Sequence, residues 1–317
     1  MKRLVPIARV IVIVLITVSS SIKSFSQSIT IRDKVEVGLG LGPLVFLGDL
    51  GGAQGLGRTF IKDIDYPLIK LSKGIFVGVA PTEWLGFRLA INTGVLEGDD
   101  KQAPNKGGEE IFRIQRNLNF KSRLFEGYGA VEFYPSVFLE QYDDLKGKFR
   151  PYGVIGVGVY HFNPETQDDA GNWVKLQPLH TEGQGFPEYP DRKNYKLTQM
   201  EIPMGFGFKY YLKENMFIGM EVLHRKLFTD YVDDVSTNYI DPIYFDKYLS
   251  PANAALARQL NYRGTFQWAV TRPSAVVGEQ RGDPKQNDAY FSTILRLGWR
   301  LREMSGAERQ MRCPLYY

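Results

Sequence analysis

From residue 35 onward, apolar side chains alternate with glycine, polar or charged ones at a period of two. That is the spacing of strands whose two faces meet different environments. Within residues 84–95, Leu85, Phe87, Leu89, Ile91, Thr93 and Val95 form one face, and Gly86, Arg88, Ala90, Asn92 and Gly94 the other. The split recurs with Val35, Val37, Leu39 and Leu41 against Glu36 and glycines, and with Ile75, Val77 and Val79 against Gly74, Phe76, Gly78 and Ala80. It is clearest where Met200, Ile202, Met204, Phe206, Phe208 and Tyr210 oppose Glu201 and Lys209, and where Phe291, Thr293, Leu295, Leu297, Trp299 and Leu301 oppose Ser292, Arg296 and Arg300. Weaker segments lie at 123–134, with Glu126 and Glu132 on one face, at 151–162, whose pattern leaves the facing open, and at 216–226, with Glu221 and Arg225 opposite Ile218, Met220 and Val222.

Eight such segments, each about the 9–11 residues a tilted strand needs to cross hydrocarbon, predict an all-β fold: an eight-stranded antiparallel transmembrane β-barrel. The spacing agrees with one. Connections at 80–83, 135–150 and 213–215 are expected on the periplasmic side, and the longer ones at 47–72, 97–122, 163–197 and 227–289 outside, since such barrels have short periplasmic turns and long external loops. Trp84, Phe133, Tyr134, Tyr152, Tyr210, Phe217 and Trp299 fall at one expected rim, where an aromatic girdle belongs.

An eight-stranded barrel encloses only enough space for side chains. The inward faces supply Glu36, Glu126, Glu132, Glu201 and Glu221 against Arg88, Lys209, Arg225, Arg296 and Arg300. Five acids against five bases predict a paired plug rather than an aqueous channel, because charges removed from water are costly unless paired.

Charge and targeting refine the picture. Lys2, Arg3 and Arg9 precede an apolar run at 10–18, and Ser24 and Ser26 supply small residues before a cut, so residues 1–26 read as a signal peptide with Gln27 first in the mature chain. The expected domains are thus 1–26, the barrel at 27–302 and a periplasmic tail at 303–317. Of 39 Lys and Arg, four lie in the signal, which leaves 35 bases against 35 acids and no electrostatic case for nucleic acid. The single cysteine, Cys313, has no intrachain partner.

Candidate chemistry is sparse. Gly38, Gly40 and Gly42 sit at strand period with no helix after them, unlike a nucleotide-binding loop. His161, His180 and His224 lack metal-like spacing, and His224 shares the lipid face of its strand. No catalytic residue, metal or cofactor is expected. Asp230, Asp233, Asp234 and Asp241 could offer oxygen ligands to calcium, although Asp also caps turns. In the same loop Ser250-Pro251 opens a helix through Leu260, with Ala252, Ala255 and Leu256 as its packing face.

Five loop motifs stand out: Arg-Asn-Leu-Asn-Phe at 116–120, Phe-Asn-Pro at 162–164, Leu-Gln-Pro-Leu-His-Thr-Glu-Gly-Gln-Gly at 176–185, Thr-Asp-Tyr-Val-Asp-Asp-Val-Ser-Thr-Asn-Tyr at 229–239 and Arg-Gly-Asp-Pro-Lys-Gln-Asn at 281–287. Together they resemble the PorG-like outer-membrane barrels of Bacteroidetes. The resemblance implies a non-enzymatic outer-membrane protein in lipid, an accessory of a type IX secretion system with partners on the periplasmic side, at 135–150 (Tyr142, Asp143, Asp144, Lys146) and the tail bearing Arg309, Arg312 and Cys313. A stand-alone barrel whose external loops bind a ligand, glycan or neighbouring protein is the alternative.

Overall fold

A computed structural model describes residues 35–50, 68–102, 110–139, 145, 147–264 and 277–301. The expected signal peptide, Tyr142, Asp143, Asp144, Lys146 and the tail with Arg309, Arg312 and Cys313 lie outside the described residues.

The described strands are β1 (Val35–Leu47), β2 (Lys70–Val79), β3 (Leu85–Asp99), β4 (Asn119–Phe133), β5 (Phe149–His161), the short β6 (Pro164–Gln167) and β7 (Trp173–Lys175), then β8 (Thr198–Lys213), β9 (Met216–Leu227) and β10 (Ala289–Leu301). The eight long ones form a closed antiparallel barrel. Each pairs with the next in chain order, β5 with β8, and β1 returns to β10 in the register Val35↔Leu301 through Leu47↔Ala289. Closure leaves no barrel edge with unpaired backbone groups. β3 and β4 pair over their full length, Leu85↔Phe133 to Asp99↔Asn119, and at 15 residues each exceed what a crossing requires. Their surplus rises beyond one end of the barrel, where β6 continues the sheet alongside β4 and forms a hairpin with β7.

Facing follows the period-two alternation. Leu89 is 70% exposed on the outside while its neighbour Arg88 is 2% exposed within. Apolar side chains thus cover the outer belt and charges fill the middle, the inverse of a water-soluble barrel. The strand whose facing was open, β5, turns Ile155, Val157 and Val159 outward and Tyr152, Val154 and Tyr160 inward. The expected girdle needs correction. Trp84, Phe133 and Tyr210 are exposed at the rim and Trp299 partly so, but Tyr134, Tyr152 and Phe217 are buried inside. Tyr134 and Phe217 have the parity of Glu132 and Glu221, so height along the strand was right and direction was not.

The turn end holds an apolar cluster around Phe76, Tyr128, Phe217 and Leu223. At the loop end, Leu44, Phe120, Tyr160, Leu227 and Tyr290 share one core with Leu179, Val232, Phe245 and Leu260 of the connecting segments. The described loop segments therefore make a cap continuous with the barrel interior. It carries helices α1 (Glu110–Arg116), α2 (Ile243–Tyr248) and α3 (Pro251–Asn261). α3 is the helix expected from Ser250-Pro251, and the Ser250 hydroxyl accepts from the Asn253 N–H at 3.3 Å. Its buried face is Ala254, Ala257 and Leu260; Ala252 and Ala255 point to solvent, a rotation from the face read in the sequence. α1, α2 and the β6–β7 hairpin were not foreseen, being too short to show a period.

Candidate functional site

Two buried polar networks lie one above the other, the first inside the barrel. Arg88 on β3 forms ion pairs with Glu132 of β4 at 2.9 Å and Glu221 of β9 at 2.8 Å, and Arg296 of β10 reaches the other oxygen of Glu221 at 2.6 Å. Lys209 of β8 lies between Glu36 of β1 at 2.5 Å and Glu132 at 3.2 Å. Tyr152 donates to Glu221 at 2.8 Å, Tyr211 to Glu36 at 3.3 Å, and Tyr134 to Glu132. Lys209 stands over the Phe217, Tyr134 and Tyr152 rings at 4.9, 5.2 and 5.6 Å, so the misassigned aromatics serve as partners for an interior cation, as the inward Phe76 does for the Arg296 guanidinium at 4.8 Å.

Closer to the loop end, Arg225 grips Glu126 with two nitrogens, at 2.6 and 3.2 Å, and also donates to the Leu223 carbonyl at 2.8 Å and to the Ser292 hydroxyl. The Tyr290 hydroxyl lies 2.6 Å from Glu126 and 2.5 Å from Glu201; among the described residues Glu201 has no ion pair. Arg300, at the turn-end rim, stands 4.0 Å from Glu36. A base not foreseen, Arg150 on β5, also turns inward, donating to the Glu83 carbonyl and covering the Tyr134 ring at 4.5 Å. The ten residues named from the sequence thus share the interior, and the count of bases rises with Arg150.

The second network holds the cap together. Arg116 at the end of α1 meets Asp100 with two bonds of 2.8 Å and donates to the Asp49 carbonyl at 2.7 Å and to the Arg281 carbonyl. Arg281 in turn binds Glu182 at 2.8 Å and the Asp234 carbonyl at 2.6 Å. Glu182 accepts from the Ser236 N–H at 2.9 Å, and from the Thr237 N–H and hydroxyl at 2.9 and 2.7 Å. Four of the five loop motifs thereby interlock through Arg116, Glu182, Asp234 and Arg281, residues dispersed over more than half the chain.

The four aspartates considered for a cation are not brought together as a set. Asp234 is occupied by the Thr181 hydroxyl at 2.6 Å and the Tyr195 hydroxyl at 2.7 Å, with its backbone at φ 65°. Asp241 accepts from the Ile243 N–H at 2.9 Å where the chain enters α2. Asp230 and Asp233 instead join Asp49 and Asp288, which sequence spacing did not connect. Burial pushes the Asp49 and Asp234 carboxyls up to about 6 and Asp230 to about 9, and raises Asp233 and Asp288 well above the usual carboxylate range. Of the histidines, His161 contacts the Thr198 hydroxyl at 2.9 Å on the exposed side of β5, His180 packs on Phe186, and His224 lies among the outward positions of β9.

No known family profile matches the chain, and no curated protein does. Among solved structures it is similar to the Neisserial surface protein A, at 8% identity, TM-score 0.37, covering 84% of this chain and 96% of that one. It is also similar to OprG, an outer membrane protein of Pseudomonas aeruginosa, at 11% identity, TM-score 0.37, with 84% and 95% covered. A third is Ail, the attachment invasion locus protein of Yersinia pestis, at 7% identity, TM-score 0.34, with 84% and 96% covered.

Proposed function

We propose that this chain is a non-enzymatic outer-membrane protein that presents an ordered cap at the cell surface as a component of a surface or secretion assembly. The apolar belt supports residence in lipid, and the ion pairs across the lumen support an anchor rather than a pore. The observation that carries the reading is the interlocking of distant loop motifs through Arg116, Glu182 and Arg281, which gives the cap one fixed shape. A rigid surface loses little conformational entropy when a partner docks. Ile243 and Tyr248, exposed on α2, offer the apolar and aromatic contacts that protein interfaces favour. The type IX secretion role implied by the family resemblance is the assembly we put forward.

Crosslinking in intact outer membranes tests this. Ile243→Glu with Tyr248→Glu should remove crosslinked partners and, in a secretion assembly, reduce cargo in the medium. Partners that survive this change but are lost when residues 139–148 are shortened would move the working surface to the turn end. Normal secretion with altered surface binding would favour the stand-alone barrel that binds through its loops.

A further inference from the structure

Asp49, Asp230 and Asp288 lie just beyond the loop-end termini of β1, β9 and β10, which are neighbours in the barrel, and the Asp288 N–H donates to the Thr229 carbonyl at 3.1 Å. Asp233, one turn further on, completes a group in which the four carboxylates repel one another. Two of the four are consumed locally. Asp233 accepts from the Leu50 and Val235 N–H groups, each at 3.0 Å, and Asp49 accepts from the Asp283 N–H at 2.8 Å.

The other two are committed through one oxygen only. Asp288 is 1% exposed; one oxygen accepts from the Val232 N–H at 2.8 Å, while among the described residues Oδ1 has no partner. Asp230 is 8% exposed; Ser236 hydrogen-bonds its carboxyl, and among the described residues its Oδ2 has no partner. The nearby cation, Arg116, is committed to Asp100 and two carbonyls, and Arg281 is committed to Glu182. Buried carboxylate oxygens without a donor or counter-charge are costly, so something must neutralise them.

We propose that the base of the cap binds a calcium ion between Asp230 and Asp288. Every side chain offering itself there is a hard oxygen donor, the set that suits calcium rather than zinc or copper. Among the described residues no three acidic or histidine side chains close on a single point, so the remaining positions fall to backbone carbonyls, hydroxyls and water. Calcium accepts such mixed shells of six to eight oxygens. The ion would tie the exits of the adjacent strands β9 and β10 to each other at the foot of the segment that carries Asp233, fastening the cap to the barrel.

The test is calcium titration of the refolded full chain in detergent micelles, after treatment with chelator, followed by calorimetry and by protease resistance of the cap. Expected is saturable binding with a Kd of about 10⁻⁴–10⁻³ M, the range of extracellular calcium modules. Cap cleavage should slow at least tenfold in calcium and remain unchanged in equal magnesium. Asp288→Asn and Asp230→Asn should each weaken binding at least tenfold while the barrel keeps its heat-modifiable mobility, and Asp246→Asn on the exposed face of α2 should not. Without calcium, at alkaline pH where the Asp288 carboxyl is ionised, the cap of Asp288→Asn should resist protease better than that of the unaltered chain, because an uncompensated charge has gone; this separates loss of binding from loss of folding. Absence of saturable binding, or binding unchanged in both variants, overturns the proposal. Protection gained only by lowering the pH would make the neutralising species a proton.

Discussion

Arg225 shows what burial demands of one side chain. It is fully buried, and its donors are taken up by Glu126, the Leu223 carbonyl and Ser292. Removing one partner of such a pair strands the other. Arg225→Gln should therefore cost about 3–5 kcal/mol of folding stability, read from urea unfolding in lipid, and adding Glu126→Gln should recover part of that loss. The outer face obeys the opposite rule. Leu89 faces outward near the middle of β3, and Leu89→Arg should cost about 2–4 kcal/mol at the bilayer midplane. Unchanged folding of Leu89→Arg would refute the assignment of that face to lipid.

At the scale of elements, packing of the strands sets where a side chain fits. A Cβ added at Gly298 would run into the Phe217 ring, and that ring is fully buried against Lys209. Gly298→Val should destabilise the barrel by roughly 1–3 kcal/mol, as overpacking does, with a lower urea midpoint as the readout. In the cap, Ser250 is a free-standing N-cap, and Ser250→Ala should cost about 1 kcal/mol, seen as faster proteolysis within α3. The acidic base of the cap also makes a pH prediction. Asp49 and Asp234 are raised from 3.8 to about 6 by burial, so the folded cap binds their protons more tightly than the unfolded one. That contribution is complete below 3.8 and is lost as pH rises through about 6, with Asp230 extending the loss toward about 9. In chelator, protease resistance of the cap should fall over that window; a rise would contradict the sign.

For the whole molecule, the ion pairs spanning β1, β3, β4, β8, β9 and β10 link opposite walls of the barrel. Above them the loop-end core runs from Leu44 and Tyr290 into Phe245 and Leu260 without a break. Lumen and cap together should block passage, so planar bilayers should record no large, stable, ohmic steps. Such steps would show that the plug opens.

What the chain determined by itself is the barrel: a period of two is a local property, and closure makes each strand's inward parity visible as glycine and charge beside apolar neighbours. β5 resisted because Val154 faces inward among glycines, erasing the contrast, and the inward Arg150 was lost with it. Tertiary structure alone decided the cap. Asp49 and Asp288 are 239 residues apart in sequence, yet they meet because β1 and β10 close the barrel and bring their ends together. Asp234 and Asp241, close to Asp230 in sequence, are drawn instead to Tyr195 and to α2. Nearness along the chain predicts turns and caps, whereas a site assembled from strand exits depends on which strands are neighbours, and that follows from closure of the whole sheet.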